Sequence, residues 1–289
     1  MKAVQTLTQI RELLASRGLS PRKSLGQNFL IDHNLIRKLV EASAVGPGDV
    51  VLEVGPGTGT LTEELLERGC RVVAAEMDRG LAELLRERHA ANPSFSLVEG
   101  DCLDGKNAIA PALAAEIVRS AQARGGSFSL VANLPYGAGT PLMMILLADW
   151  PACRSLHVTV QKEVADRILA HPGTRDYGPL SVLARATCES RLIAKLPPGC
   201  FWPPPDVTSA MVSLVRLAQP RTRHPRRLLD TAQRVFAQRR KQLGSVLGRD
   251  TPLPTGVSPT ARAETLTVEQ WIELDHLLNE GPPDSRENQ

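Results

Sequence analysis

Apolar positions along the chain switch repeatedly between two periods. Asp49 to Val54 (DVVLEV) is an almost unbroken apolar run, the mark of a parallel strand covered on both faces. Similar short runs cover 71–75, 95–98, 129–132 and 156–160. Helical spacing lies between them. It covers 32–43, with Leu35, Ile36, Leu39 and Val40 on one side and Asp32 as cap, then 60–68 and 106–124. Further helical stretches at 163–170 and 180–187 precede two closing strands, 191–196 and 210–217. This alternation predicts an α/β fold built on a sheet of seven strands. Beyond a linker at 219–225 the period is helical only. Leu228, Leu229, Ala232, Val235, Phe236, Leu243, Val246 and Leu247 mark one amphipathic helix, and Trp271, Leu274 and Leu278 a last one over 268–278. The expected domains are 1–218, including a helical N-terminal extension over 1–45, then a small helical domain at 219–280 and a disordered tail, 281–289.

The ends of the predicted strands carry the chemistry. The first runs into Gly55-Pro56-Gly57-Thr58-Gly59 and then a helix, a turn that lets backbone approach a ligand closely. A dinucleotide fingerprint would place its third glycine at position 60, where Thr60 stands. The pattern present is Glu-x-Gly-x-Gly-x-Gly from Glu53 to Gly59. An acid beside the turn suits S-adenosylmethionine, which carries an ammonium and a sulfonium and has no pyrophosphate to neutralise. Glu76 ends the second strand about twenty residues on, the place of a ribose-hydroxyl partner. Asp101, followed by Cys102, ends the third and is placed to accept from the adenine amino group of that cofactor. The fourth delivers Asn133-Leu134-Pro135-Tyr136, after which Gly137, Gly139 and Pro141 are expected to delay regular structure until Leu142. The Asn133 side chain and the Leu134 backbone offer two acceptors, Pro135 stiffens their link, and Tyr136 adds a flat face. Together they suit an amino group on a flat ring, such as N6 of adenine. The same four residues also make an ordinary turn around a half-buried tyrosine.

Composition narrows the picture in three ways. Five scattered cysteines without a Cys-x-x-Cys, and six scattered histidines, indicate neither disulfides nor a metal site, and a reducing cytoplasm fits. No run approaches the length of a membrane span, and Glu12 argues against a transit peptide. Net charge is only +3, yet Arg216 to Arg249 holds ten Arg or Lys against the single acid Asp230, the footprint of a polyanion site. Within it Arg221, Arg223, Arg239, Arg240 and Lys241 are candidate RNA contacts, joined by Arg22 and Lys23 of a basic loop near the N-terminus. Aromatics make up only 3% of the chain, so Phe201-Trp202 before Pro203-Pro204-Pro205 calls for a reason. Either residue can serve as a rigid base platform, and for Trp202 a place in the core is an equal reading.

The chain resembles the ribosomal RNA adenine N6-dimethyltransferases, in particular the bacterial small-subunit (16S) branch. The resemblance rests on SLGQNFL (24–30), EVGPGTG (53–59), EMD (76–78), GDC (100–102), NLPY (133–136), QKEVADR (161–167), YGPLSV (177–182), FWPPPDVTSAMV (201–212), FAQRRK (236–241) and RAETLT (262–267). It implies a Rossmann-like methyltransferase domain and transfer from S-adenosylmethionine to two adjacent adenines of 16S rRNA in the immature small ribosomal subunit, by a cytoplasmic monomer without metal. Asn28, Leu30, Gly55, Glu76, Asp101 and Asn133 would contact the cofactor, with Glu53, Gly57, Gly59 and Cys102 in the same motifs. The target base would lie between Tyr136 and Phe201, and losing the Tyr136 hydroxyl alone is expected to be mild. Two departures from the family stand out: the small Gly137-Ala138-Gly139 segment and a long stretch over 103–126. The rival readings are a large-subunit rRNA adenine methyltransferase of the resistance type and an assembly or transcription factor that keeps the fold.

Overall fold

The structure, a computed structural model, describes residues 5–22, 25–105 and 107–280. Lys23, the start of the SLGQNFL motif and the expected tail 281–289 lie outside the described residues. The chain begins α1 (Leu7–Ala15), β1 (Phe29–Leu30), α2 (His33–Ser43), β2 (Val50–Val54), α3 (Thr60–Glu67), β3 (Arg71–Glu76), α4 (Arg79–His89) and β4 (Phe95–Glu99). It continues β5 (Leu103–Asp104), β6 (Ala108–Ile109), α5 (Pro111–Gln122), β7 (Phe128–Asn133), α6 (Tyr136–Asp149), β8 (Cys153–Gln161), α7 (Lys162–Leu169) and α8 (Pro179–Thr187). The last elements are β9 (Cys188–Leu196), β10 (Phe201–Trp202), β11 (Ser209–Arg216), α9 (Pro225–Phe236), α10 (Leu243–Leu247) and α11 (Val268–Asn279).

Seven strands form one sheet in the order β4-β3-β2-β7-β8-β11-β9. Strands β4, β3, β2, β7 and β8 run parallel, and β11 returns antiparallel to β8. Every residue of β2 is buried, which explains why DVVLEV shows no polar alternation. Successive strands step one way from β2 to β3 and β4, and the other way from β2 to β7 and β8. The order therefore reverses between β2 and β7, where a crevice opens beyond the carboxyl ends. Two caps fix the helices beside it. Asp32 accepts from Asn34 and Leu35 N–H to start α2, and Asp78 accepts from Gly80 and Leu81 N–H to start α4.

The chain divides into two compact units. The first holds the chain up to Leu146, Trp150–Ala165 and Arg191–Val215, with the sheet core of Val51, Val72, Val131 and Met211 under Leu39 and Val40. The second holds Leu147–Asp149, Asp166–Ser190 and the chain from Arg216 onward. It thus takes in residues 166–190, which the boundary at 218 left with the sheet. Tyr177, Val182 and Ala186 pack into one cluster with Leu228, Ala232, Val235, Trp271 and Leu274, a core that helices α9 and α11 do not complete by themselves.

Three local expectations change. Regular structure resumes at Tyr136 rather than Leu142, because Ala138 and Gly139 N–H both reach Pro135 C=O, and α6 continues through Pro141 without the bond a backbone N–H there would make to Gly137 C=O. The stretch after Asp101 forms the β5–β6 hairpin before Pro111 starts α5. The long helix of the C-terminal region is two, α9 and α10. Its backbone is diverted where Leu243 N–H bonds Ala261 C=O and Gly244 N–H bonds Pro259 C=O, leaving Arg239-Arg240-Lys241 in the intervening turn.

Candidate active site

The crevice at the strand-order reversal holds a cavity of about 530 Å³ inside the first unit. Its walls come from residues 25–30, the glycine turn, the ends of β3 and β4, and the segment 133–138. Asn28, Leu30, Glu53, Gly55, Gly57, Glu76, Asp101, Cys102, Asn133, Leu134, Pro135 and Tyr136 all line it, so residues from five sequence motifs converge on one space. The wall carries the carboxylates Glu53, Glu76 and Asp101 and, among the described residues, no Lys or Arg.

Close approach explains the first two glycines. A Cβ on Gly55 would lie 2.9 Å from Pro135 Cγ, and one on Gly57 would lie 2.8 Å from Phe29 Cε1; both have positive φ, 70° and 60°. The third differs from expectation. Gly59 does not line the cavity; its missing Cβ makes room for Leu85 of α4, 2.9 Å away, so it serves helix packing.

The acids are held by short, specific bonds. The two oxygens of Glu76 accept separately from Gly57 N–H (3.1 Å) and Asp78 N–H (2.9 Å), tying the turns after β2 and β3 together. Burial pushes its carboxyl above the usual range although both N–H groups oppose this. Glu53 is buried and accepts from Thr62 Oγ1 at 2.6 Å; burial pushes it to about 8, with the neighbouring Glu76 adding to the rise. Asp101 is exposed and accepts from Leu103 N–H at 3.0 Å. Thr62 and Phe29 escaped the sequence reading. A hydroxyl one turn into α3, facing back towards the strand acid, is the signal for Thr62; Phe29 stands at the apolar end of SLGQNFL, but its approach to Gly57 is a contact between distant segments.

On the opposite rim Asn133 Nδ2 donates to Asn28 C=O at 3.0 Å. A carbonyl only accepts, so the amide nitrogen must face it, and the Asn133 Oδ1 is turned away and takes no hydrogen bond among the described residues. Leu134 N–H bonds Thr159 C=O of β8 (3.1 Å), while its own carbonyl takes no backbone N–H among the described residues. Tyr136 is half-buried, with its hydroxyl 3.0 Å from Ser209 Oγ.

Phe201 requires a correction. It is 3% exposed and packs with Leu30, Leu196 and Met211, so it offers no open face to the cavity. The reason is the β1–β10 ribbon, which sets Leu30 opposite Phe201 and Phe29 opposite Trp202 and turns Phe201 into the core. Trp202 instead stacks on Phe29 (6.3 Å between centroids), with the Arg11 guanidinium 5.2 Å over its ring.

The family model for ribosomal RNA adenine dimethylases matches residues 18–280. The chain belongs to that family. Within it, the ribosomal RNA small subunit methyltransferase A of Phenylobacterium zucineum is 43% identical over 281 residues, 94% of this chain and 93% of that protein. Among solved structures, the 23S rRNA methyltransferase ErmE aligns with a TM-score of 0.63 at 28% identity, covering 87% of this chain and all of ErmE. A dimethyladenosine transferase from Plasmodium falciparum aligns with a TM-score of 0.68 over 86% of this chain and 97% of that one, and at 21% identity it speaks for the fold. The Rossmann-like methyltransferase sheet expected from the adenine dimethylase resemblance is the one observed.

The basic stretch of this family member is less free than its composition implies. Within the second unit Arg221 pairs with Glu269, Arg226 with Asp149, Arg227 with Asp275 and Glu280, and Arg239 with Glu264. Arg223, Arg240 and Lys241 are exposed and make no ion pair among the described residues. In the first unit Arg22 is exposed and lies 3.3 Å from Asp78. No helix of the described residues is long and apolar enough to cross a membrane, and no group of three or more His, Cys, Asp or Glu is gathered as for a metal ion.

Proposed function

We propose that the protein takes methyl groups from S-adenosylmethionine and places them on N6 of adenines in small-subunit ribosomal RNA, two on each of two adjacent adenines of 16S rRNA. The observation that carries this reading is Asn133: an amide anchored through its nitrogen, with its oxygen free at the rim of an acid-lined cavity. The family and the 43% identical small-subunit methyltransferase support it over the large-subunit alternative, whose representative ErmE is 28% identical.

The donor set fits the cofactor. Two glycines whose side chains would fill the cradle, three acids and the lack of a cation suit a positively charged nucleoside and argue against a pyrophosphate. Glu76 and Asp101 would hold its ribose and adenine edge, and Glu53 would meet its positive charge. Bound there, S-adenosylmethionine supplies an electrophilic methyl group.

The chain's own part is placement. The N6 amine is a poor nucleophile because its lone pair is delocalised into the ring. Asn133 Oδ1 and Leu134 C=O accept its two N–H protons, favour a pyramidal nitrogen and aim the lone pair along the line of transfer. N6 would gain one N–C bond as the sulfonium loses its S–CH3 bond and leaves as a neutral thioether, and N6 would shed one proton to solvent, since amide oxygens are too weakly basic to keep it. Tyr136 offers the plate for the adenine, which must leave any helix to reach it. A second round needs room. Gly137 lines the cavity with nothing within 4 Å of where its Cβ would stand, whereas Gly139 is packed against Leu134 at 3.4 Å. Of the two, Gly137 supplies the space. Phosphate contacts fall to Arg223, Arg240 and Lys241, with Arg22, Arg221 and Arg239 already paired with acids.

Single-turnover transfer to precursor small subunits tests the reading. Asn133→Ala should slow transfer by 10² or more, about 3 kcal/mol, with cofactor binding largely kept. Near-normal transfer would reduce the segment to a turn and end the proposal.

A further inference from the structure

The Tyr136 hydroxyl has no part in holding a base by its ring face, yet it is not idle. It lies 3.0 Å from the Oγ of Ser209, a residue 73 positions away that is fully buried at the start of β11. Ser209 is well anchored: it stands opposite Gln161 of β8, and the neighbouring Thr208 C=O accepts from Lys162 N–H at 2.9 Å. Tyr136 is not. It opens α6, which has no side-chain cap, and it is followed by Gly137, beside which there is open space. A half-buried ring in that position keeps its torsional freedom unless its far end is tied. The hydroxyl bond supplies that tie to the rigid sheet. It also joins the NLPY segment to the strand that follows the Phe201–Asp206 loop.

We propose that Ser209 is a positioning residue for the methyl transfer: by holding the Tyr136 hydroxyl it fixes the plane of the plate on which the target adenine lies. This rests on the reading of Tyr136 as that plate. It reverses the expectation that loss of the hydroxyl is mild, because Tyr136→Phe frees the ring and leaves the buried Ser209 Oγ without its partner.

The test is a double-mutant cycle in the full-length protein. Single-turnover transfer to precursor small-subunit RNA at saturating S-adenosylmethionine is measured for wild type, Ser209→Ala, Tyr136→Phe, the double variant and Ser209→Thr, with Tyr136→Ala as reference. Binding of S-adenosylhomocysteine by calorimetry and half-saturation by RNA are measured alongside. Ser209→Ala and Tyr136→Phe should each slow transfer five- to twentyfold, the double variant no more than the slower single one. Both binding constants should stay within twofold, and Ser209→Thr should recover most of the rate. Multiplying effects, or a rate loss that tracks weaker S-adenosylhomocysteine binding, would reduce Ser209 to a strand residue and overturn the proposal. Full transfer by Ser209→Ala with a deficit in Tyr136→Ala would overturn it while leaving the plate intact. Full transfer by Tyr136→Ala would remove the plate, and this inference with it.

Discussion

The cavity of the first unit and the basic stretch of the second are both charged regions announced by the sequence, and they behave oppositely. The cavity acids are satisfied within the site, by backbone N–H groups of the turns after β2, β3 and β4 and by one hydroxyl of the adjoining helix, and all three line the cavity. Four cations of residues 216–249, Arg221, Arg226, Arg227 and Arg239, are met by acids distant in sequence, Asp149, Glu264, Glu269, Asp275 and Glu280, which a count along the stretch does not see. An acid held by bonds within its own site stays placed for a ligand. A charge counted in a run is available only after the fold has taken its share.

The sharpest way to break the comparison is at the glycine turn. Gly57→Ala places a methyl group at positive φ against Phe29, a strain of about 1–3 kcal/mol, and should weaken S-adenosylhomocysteine binding by roughly ten- to a hundredfold by calorimetry. Gly59→Ala crowds Leu85 instead, so it should lower the melting temperature with a smaller effect on binding. Equal effects of the two on binding would erase the distinction drawn between them.

Next in size is a pH effect on cofactor binding. Glu53 titrates near 8 without a ligand against an ordinary 4.5, so at neutral pH it is protonated and a cationic ligand must displace the proton. S-adenosylmethionine affinity should rise with pH, by up to about tenfold per unit below 8, and level off above it. Stability of the empty protein runs the other way. Between 4.5 and 8 the unfolded chain binds fewer protons at this site than the folded one, so stability falls as pH rises. Glu53→Gln should flatten both profiles in calorimetry and thermal melts.

A smaller effect should follow from filling the open side of the transfer site. A Cβ at Gly137 would have open space around it, and Gly137→Val extends a side chain into that space. The first methyl transfer should be nearly unchanged and the second slowed several-fold, read as accumulation of monomethylated adenine in a time course.

The weakest effects separate free from engaged cations. Arg223→Gln, Arg240→Gln and Lys241→Gln should each lower the log–log salt slope of RNA binding by ~0.7–0.9 if they reach phosphates. Arg227→Gln should leave the slope alone and cost stability instead, about 1.5–3 kcal/mol, because Asp275 is 3% exposed and loses its charged partner. A changed slope for Arg227→Gln would return the run to a single undivided patch.

Much of this arrangement was legible in the sequence because backbone geometry demanded it. Parallel strands wrote themselves as unbroken apolar runs, and Gly55, Gly57, Glu76 and Asn133 sit where chain turns meet strand ends. β8 was read short: it begins at Cys153, where Arg154 and Ser155 look polar but bond the buried Ser129 of β7. Phe201 was misplaced because pairing with Leu30, 171 positions away, decides which side of the ribbon it faces. The break between α9 and α10 depends on Pro259 and Ala261, and the Ser209–Tyr136 bond on two motifs meeting in space. Each of these is a long-range contact that no local pattern encodes.

The most direct measurement is nucleoside mass spectrometry of small-subunit and large-subunit rRNA, each incubated with the purified protein and S-adenosylmethionine carrying an isotopically labelled methyl group. The account predicts labelled N6,N6-dimethyladenosine in the small-subunit RNA, confined to adjacent adenines. Label on another atom, or in the large-subunit RNA alone, would contradict it.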